Sequence, residues 1–383
     1  MSAVFGMILQ PYVIFPTLVI LIGFKVLKEK HMKLFLFGLA CLMGVLSFHI
    51  TDIREGYDLF SHYRTLDLFR ALGPAYFAEF SKTESLPLFA LYFYLVSLLP
   101  KNEFLPAITA FLVYGVNFFM AYKVYRRFSL SKRTLMILTI FLMCNLNYAG
   151  IVSGIRFNLA ASVAILALYY DFFEGRKLIS ACLIAVSAML HSSIILILLV
   201  RILLIPCTKK SAKLYVIISA GIVAIILSQL KSILGLFSFN NPFLAEFLFK
   251  TDLYLQNEEQ GAFWTTSYYA LLFMFFILIL YIAYQRFYDA SSDDGGMVKL
   301  FTFQVIMAIM TVGFFNNYVV LGRLIIFMNL LTLPYLGTMM KNDLPDTSLR
   351  VITKVEAAVL AESLIRLMYY LTLGGYYIIH LSL

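Results

Sequence analysis

Apolar residues run through the chain in blocks of roughly 15 to 22, separated by short polar stretches. They lack the strict alternation of a half-buried strand or of a transmembrane barrel, whose strands are about ten residues long. Blocks of this length suit helices crossing a hydrocarbon layer of about 30 Å. The pattern predicts helices over 4–24, 34–50, 86–99, 104–122, 134–152, 157–173, 178–190, 192–205, 214–230, 268–284, 300–315, 324–340 and 357–379. The expected fold is all-α, a polytopic membrane helical bundle of about 11–13 transmembrane helices in a single integral domain over 1–383. Two longer polar segments interrupt it, an acidic loop over 51–85 and an aromatic loop over 231–267.

Composition agrees with the pattern. Hydrophobic side chains make up 62% of the 383 residues and charged ones 13%, outside the range of a soluble domain. The formal charge of +9 does not point to nucleic acid, because most Lys and Arg sit in short loops that alternate along the chain. Clusters such as Lys25 to Lys33 and Lys123 to Arg133 are therefore assigned to the cytoplasm, and 51–85 and 231–267 to the opposite face. If 86–99 and 104–122 both crossed fully, the acidic loop and the Lys123 to Arg133 cluster would share a side. The run at 86–99 is short and contains Pro87, so it is expected to be a partial or re-entrant helix. The cysteines at 41, 144, 182 and 207 lie in or at the ends of apolar runs and carry no metal-ligand spacing, so no metal and no disulfide are expected.

Charged groups held at the ends of apolar runs are the candidates for chemistry, because placing them there costs free energy. Arg156 follows Ser153-Gly154 and opens an apolar helix, with Ser153 as the expected N-cap. A cation in a first turn opposes the helix dipole unless an anion lies between them. Arg323, after Gly322, is expected to repeat that arrangement at the start of 324–340. Two guanidinium forks would suit a phosphate or diphosphate, whereas interfacial anchors that snorkel to lipid headgroups are the plainer alternative. His191, in Met189-Leu-His-Ser-Ser193, lies between two short runs; it is either a base or phosphate donor, or a core imidazole satisfied by a carbonyl. In the acidic segment Asp58 is a plausible base for a sugar hydroxyl, with Asp52, Tyr57 and Glu84 as weaker saccharide contacts, while His62 reads as part of a solvated amphipathic stretch. Trp264 and its aromatic neighbours suit a saccharide face or an interfacial belt. Glu362 and Arg366, four residues apart, are expected to pair inside the bundle.

Taken in order, these pieces resemble the EpsG-like branch of the Wzy polysaccharide polymerases: Tyr57-Asp58 in an acidic-aromatic loop after the second helix, Glu84 before a short apolar run, Gly154-Ile-Arg156-Phe-Asn158 opening a helix, Met189-Leu-His191-Ser-Ser193, and a late Gly322-Arg323. The family's usual Arg-Gln pair reads Arg156-Phe157 here, which leaves no Gln for that place. The resemblance implies a GT-C-like membrane glycosyltransferase of the bacterial inner membrane. It would join undecaprenyl-diphosphate-linked oligosaccharide repeats at the outer face into O-antigen, capsule or exopolysaccharide. Arg156 and Arg323 would then stabilise the departing diphosphate, and Asp58 or His191 would deprotonate the acceptor. No cofactor is implied; the implied partners are membrane lipid and the flippase and chain-length regulator of the same pathway. An O-antigen ligase, a lipid-linked oligosaccharide flippase or a secondary transporter are the alternatives; the last would show inverted repeats with charge at the midplane.

Overall fold

Long apolar runs with few internal breakers form helices almost throughout. In the computed structural model, the described residues are 14–51, 58–84, 86–146, 148–204, 218, 222, 263–285, 295–313, 318–341, 349–373 and 378–379. The helices are α1 (Ile14–Val26), α2 (Met32–Phe48), α3 (Asp58–Thr83), α4 (Pro87–Ser97), α5 (Phe104–Arg127), α6 (Lys132–Asn145), α7 (Tyr148–Ser153) and α8 (Ile155–Glu174). They continue as α9 (Lys177–Leu190), α10 (Ile194–Leu203), α11 (Phe263–Ala283), α12 (Gly295–Val312), α13 (Tyr318–Leu330), α14 (Leu333–Met339) and α15 (Leu349–Leu373). The all-α expectation holds, with one two-residue antiparallel ladder pairing Ile50 with Ile379 and Thr51 with Ile378.

Among the described residues four helices are long and apolar enough to cross a membrane: Glu29–Phe48, Phe104–Arg127, Ile155–Glu174 and Gly295–Val312. A bent pair, Val319–Leu330 with Leu333–Met339, makes a fifth if taken as one span. Several of the other expected spans are shorter apolar helices, and the run at 214–230 lies outside the described residues but for positions 218 and 222. This is a polytopic helical membrane protein, as expected from the sequence. The helix at Pro87–Ser97 covers about 16 Å at 1.5 Å per residue, too little to cross.

The segment 51–85 is not a loop. Most of it is α3, whose polarity concealed a helix because half of it is solvated and its middle carries Gly73-Pro74. Pro74 disfavours a helical residue before it, and Gly73 takes φ 64°, a left-handed conformation that glycine adopts without strain; the helix kinks there.

Within the single domain expected from the sequence, the chain packs as two compact units, the first of residues 1–166, 189–191 and 336–383, the second of 167–188 and 192–335. In the first, α2 and α5 interlock through edge-on aromatic pairs, Phe37 with Phe111 and Phe48 with Phe104, centroids 5.8 and 5.0 Å apart. α6 joins α15 by charge: Arg133 donates to Glu356 at 2.7 Å, and Glu362 accepts from Asn145 at 3.0 Å and from its helical neighbour Arg366. The expected Glu362–Arg366 pair is therefore present and lies in the core. In the second unit, Asp171 near the end of α8 pairs with Arg201 of α10, whose guanidinium lies 5.5 Å from the Phe172 ring. The break after α13 has a backbone cause. Pro334, the second residue of α14, has no N–H to donate back to α13. Thr332 N–H turns back to Asn329 O at 3.0 Å, and Gln304 of α12 donates its amide to Met328 O at 3.3 Å, so the broken segment keeps hydrogen-bond partners.

Candidate functional site

Arg156 is the second residue of α8, in the first turn as the sequence predicted. Ser153 does not begin that helix. It ends the short α7, and the break falls at Gly154, where the Asn158 side-chain amide donates to the carbonyls of Gly150 (2.7 Å) and Gly154 (3.3 Å). A deeper stitch holds the same helix to α5: buried Asn117 donates to Ser162 at 2.8 Å. The chain thus fixes the start of α8 through polar bonds within the apolar bundle, where each is shielded from competing water.

The Arg156 guanidinium lies 4.5 Å from the Phe89 ring centroid and 3.9 Å from Glu84, and it remains 32% exposed. Glu84 is more enclosed and accepts the Leu86 N–H at 3.2 Å, just ahead of α4. A carboxylate before a helix start is favourable for the dipole, and this one also faces the cation. Glu84, expected among the saccharide contacts, is thus the counter-charge of Arg156, so the cation in the first turn is offset by the protein itself. At 3.9 Å and partly solvated, the pair leaves the guanidinium able to take another anion.

His62, read from sequence as solvated, is half-buried. Its Nε2–H donates to the Ser153 carbonyl at 3.2 Å, and its ring meets Phe93 and Phe89 edge-on at 5.1 and 6.3 Å. Burial first, and the Arg156 charge second, push its pKa down to about 4, against the opposing pull of Asp58 and of the Ser153 bond. The imidazole is neutral at ordinary pH. Asp58, exposed at the first position of α3, is one helical turn before His62 and near enough for its charge to be felt there. His191 follows α9, half-buried, its ring 5.5 Å from that of Phe157 and edge-on to it. Ser193 is the N-cap residue of α10 but makes no side-chain cap bond. Asp58, His62, Glu84, Arg156 and His191 all belong to the first unit.

Arg323 departs from expectation. Helix α13 begins at Tyr318, so Arg323 lies in its second turn, half-buried, and not at a helix start. Gly322 misled the sequence reading: it serves packing, since a Cβ there would sit 2.5 Å from the Tyr269 ring of α11. Arg323 belongs to the second unit. Asp52 and Tyr57 lie outside the described residues, as does the side chain of Trp264, which falls in the first turn of α11. Most of the expected aromatic loop over 231–267 also lies outside them.

The sequence reading missed two residues. His62 carried one signal, its spacing of four from Asp58. Arg70 carried none: its Nε donates to the carbonyls of Ser97 and Leu99, both at 3.1 Å, and its Nη1 to Asp67 at 3.0 Å and to Asn102, tying α3 to the end of α4.

The EpsG family model matches residues 35–352. The chain belongs to the EpsG family. The match includes the whole Glu84, Arg156 and His191 region and Arg323, and EpsG membership gives the chain a polysaccharide polymerase-type, glycosyltransferase-like role in a membrane. No curated protein and no solved structure matches it.

Proposed function

We propose that this EpsG-family protein polymerises lipid-diphosphate-linked oligosaccharide repeats at the outer face of the bacterial inner membrane, supplying O-antigen, capsule or exopolysaccharide. The observation that carries the reading is Arg156: a guanidinium fixed in the first turn of α8, stacked on Phe89, one-third exposed and only loosely matched by Glu84. In the transfer, an acceptor hydroxyl oxygen bonds to the anomeric carbon of the donor glycan. The bond from that carbon to the diphosphate oxygen breaks, its electron pair leaves with undecaprenyl diphosphate, and the hydroxyl proton passes to a base. Asp58 and His191 are the base candidates. Charge gathers on the departing diphosphate, where a fixed cation lowers the barrier most. Arg156 supplies that cation. Asp52 and Tyr57 are proposed to contact the saccharide. No cofactor is required, and a flippase and chain-length regulator are the expected pathway partners.

The test is the lipid-linked glycan profile of a deletion strain complemented with wild type or Arg156→Ala. Single lipid-linked repeats accumulating outside, long polymer absent, and failure of Arg156→Ala at normal protein level support the reading. Accumulated full-length lipid-linked polymer would mean a ligase, and a repeat retained on the cytoplasmic face a flippase.

A further inference from the structure

The start of α8 is an awkward place for Arg156. Two helices end shortly before it, α6 at Asn145 and α7 at Ser153, and the last carbonyls of a helix have no partner within it. Asn158 takes the Gly150 and Gly154 carbonyls, but those bonds are local to the α7–α8 turn. The Ser153 carbonyl, the last before the break, is taken from outside by His62 of α3. A carbonyl only accepts, so this bond fixes the Nε2–H tautomer of His62. Phe89 and Phe93 of α4 wall the imidazole, and Phe89 is also the ring on which the Arg156 guanidinium rests.

We infer that His62 is a positioning residue for Arg156, latching α3 to the α7–α8 break through the Ser153 carbonyl so that the guanidinium stays over Phe89. The inference rests on the proposed diphosphate role of Arg156 only for its consequence in catalysis; the latch itself is a statement about geometry. It explains why a histidine lies within reach of a cation and is kept neutral. A charged imidazole would repel Arg156, whereas a neutral one donates one hydrogen bond and adds no charge.

Two substitutions separate the donor from the ring. His62→Gln places an amide N–H near the position of Nε2 and keeps the donation to Ser153, while His62→Asn is too short to reach it. The geometry is read without any ligand, from the rate at which Arg156→Cys reacts with a membrane-impermeant thiol reagent in the full-length protein in membranes. With His62 intact and with H62Q the rate is expected to be the same; with H62N it is expected to rise several-fold. Equal rates in all three overturn the latch. In the Arg156-containing protein, H62Q should sustain polymerisation and H62N should lose most of it at unchanged protein level. Loss with H62Q as well, at normal level, would overturn a purely positioning role. If wild type forms no polymer from lipid-linked repeats, the proposed function fails, while the labelling rates still decide the latch.

Discussion

Two arginines of the first unit show how similar charges serve opposite ends. Arg366 is fully buried in α15, its Nε bonded to Glu362, whose other oxygen takes the Asn145 amide. Arg156 is 32% exposed, with its carboxylate at 3.9 Å and an aromatic face beneath it. The first charge is buried directly against its carboxylate, which also binds Asn145 of α6, and serves the packing of α6 against α15. The second is held in place but left open. Ionisable groups in a membrane protein are often read as functional by default, yet these two differ in burial and in the closeness of their carboxylate, and only the exposed one has a face open to a ligand.

The largest effect should come from breaking the closed pair. Arg366→Leu leaves the Glu362 carboxylate buried with its cation removed, and is expected to cost about 3–5 kcal/mol. Thermal unfolding of the purified protein in detergent measures it. The double replacement Glu362→Leu with Arg366→Leu should recover most of the loss, since apolar substitutes for a buried pair are often neutral. If the double variant is as unstable as the single one, the pair does not hold the helices.

Next comes the open charge, with the effects reversed between stability and activity. Arg156→Ala should reduce polymer formation on the order of 10²-fold, as expected for removing a fixed group from a developing charge. Its unfolding should barely move, because a partly exposed cation–π contact and a loose ion pair contribute about 1 kcal/mol each at most. Arg156→Lys should fall between, having charge without the fork. Full polymer with Arg156→Lys would remove the bidentate role, and a large loss of stability with Arg156→Ala would make this arginine like Arg366.

The contrast was half legible in the sequence. The spacing of Glu362 and Arg366 announces their contact, because i and i+4 are neighbours on any helix. The position of Arg156 after Gly154 announces a helix start. The partners of Arg156 come from residues some 70 positions earlier, so no local pattern could assign Glu84 or Phe89 to it. The helix at Asp58–Thr83 was hidden for a similar reason: its buried residues, Leu59, Leu66 and Phe69, mean little until α4 lies against them. Arg323 misled in the other direction. A glycine beside an arginine looks like a boundary, but here the glycine makes room for Tyr269 within a continuing helix.

A pH series tests the corner from its other side. His62 titrates near 4 in the folded chain and at 6.5 when released, so the native form disfavours the proton. Stability owed to burying the neutral imidazole beside Arg156 is therefore whole above pH 6.5, declines as the pH falls from 6.5 towards 4, and changes no further below that. Asp58 pulls the titration up and Arg156 pulls it down. In Arg156→Ala, which lacks that depressing charge, the acid loss of stability, read by thermal unfolding, should occur over a window shifted upward from that of the wild type. With H62Q the acid-dependent part should vanish. An unchanged profile in H62Q would assign it to another group.

The smallest effect should belong to Glu84→Gln. The amide keeps an oxygen for the Leu86 N–H, so the start of α4 retains its partner, and only the charge facing Arg156 is removed. At 3.9 Å, with one member a third exposed, that charge contributes within about 1 kcal/mol, and unfolding should shift little. Polymer formation should hold or rise slightly, because the carboxylate competes with an incoming diphosphate for the same guanidinium. Glu84→Ala, which also removes the acceptor, should be the more damaging of the two. If Glu84→Gln instead abolishes polymer at normal protein level, the carboxylate does more than offset a cation. Arg156 and Glu84 would then act as one catalytic pair.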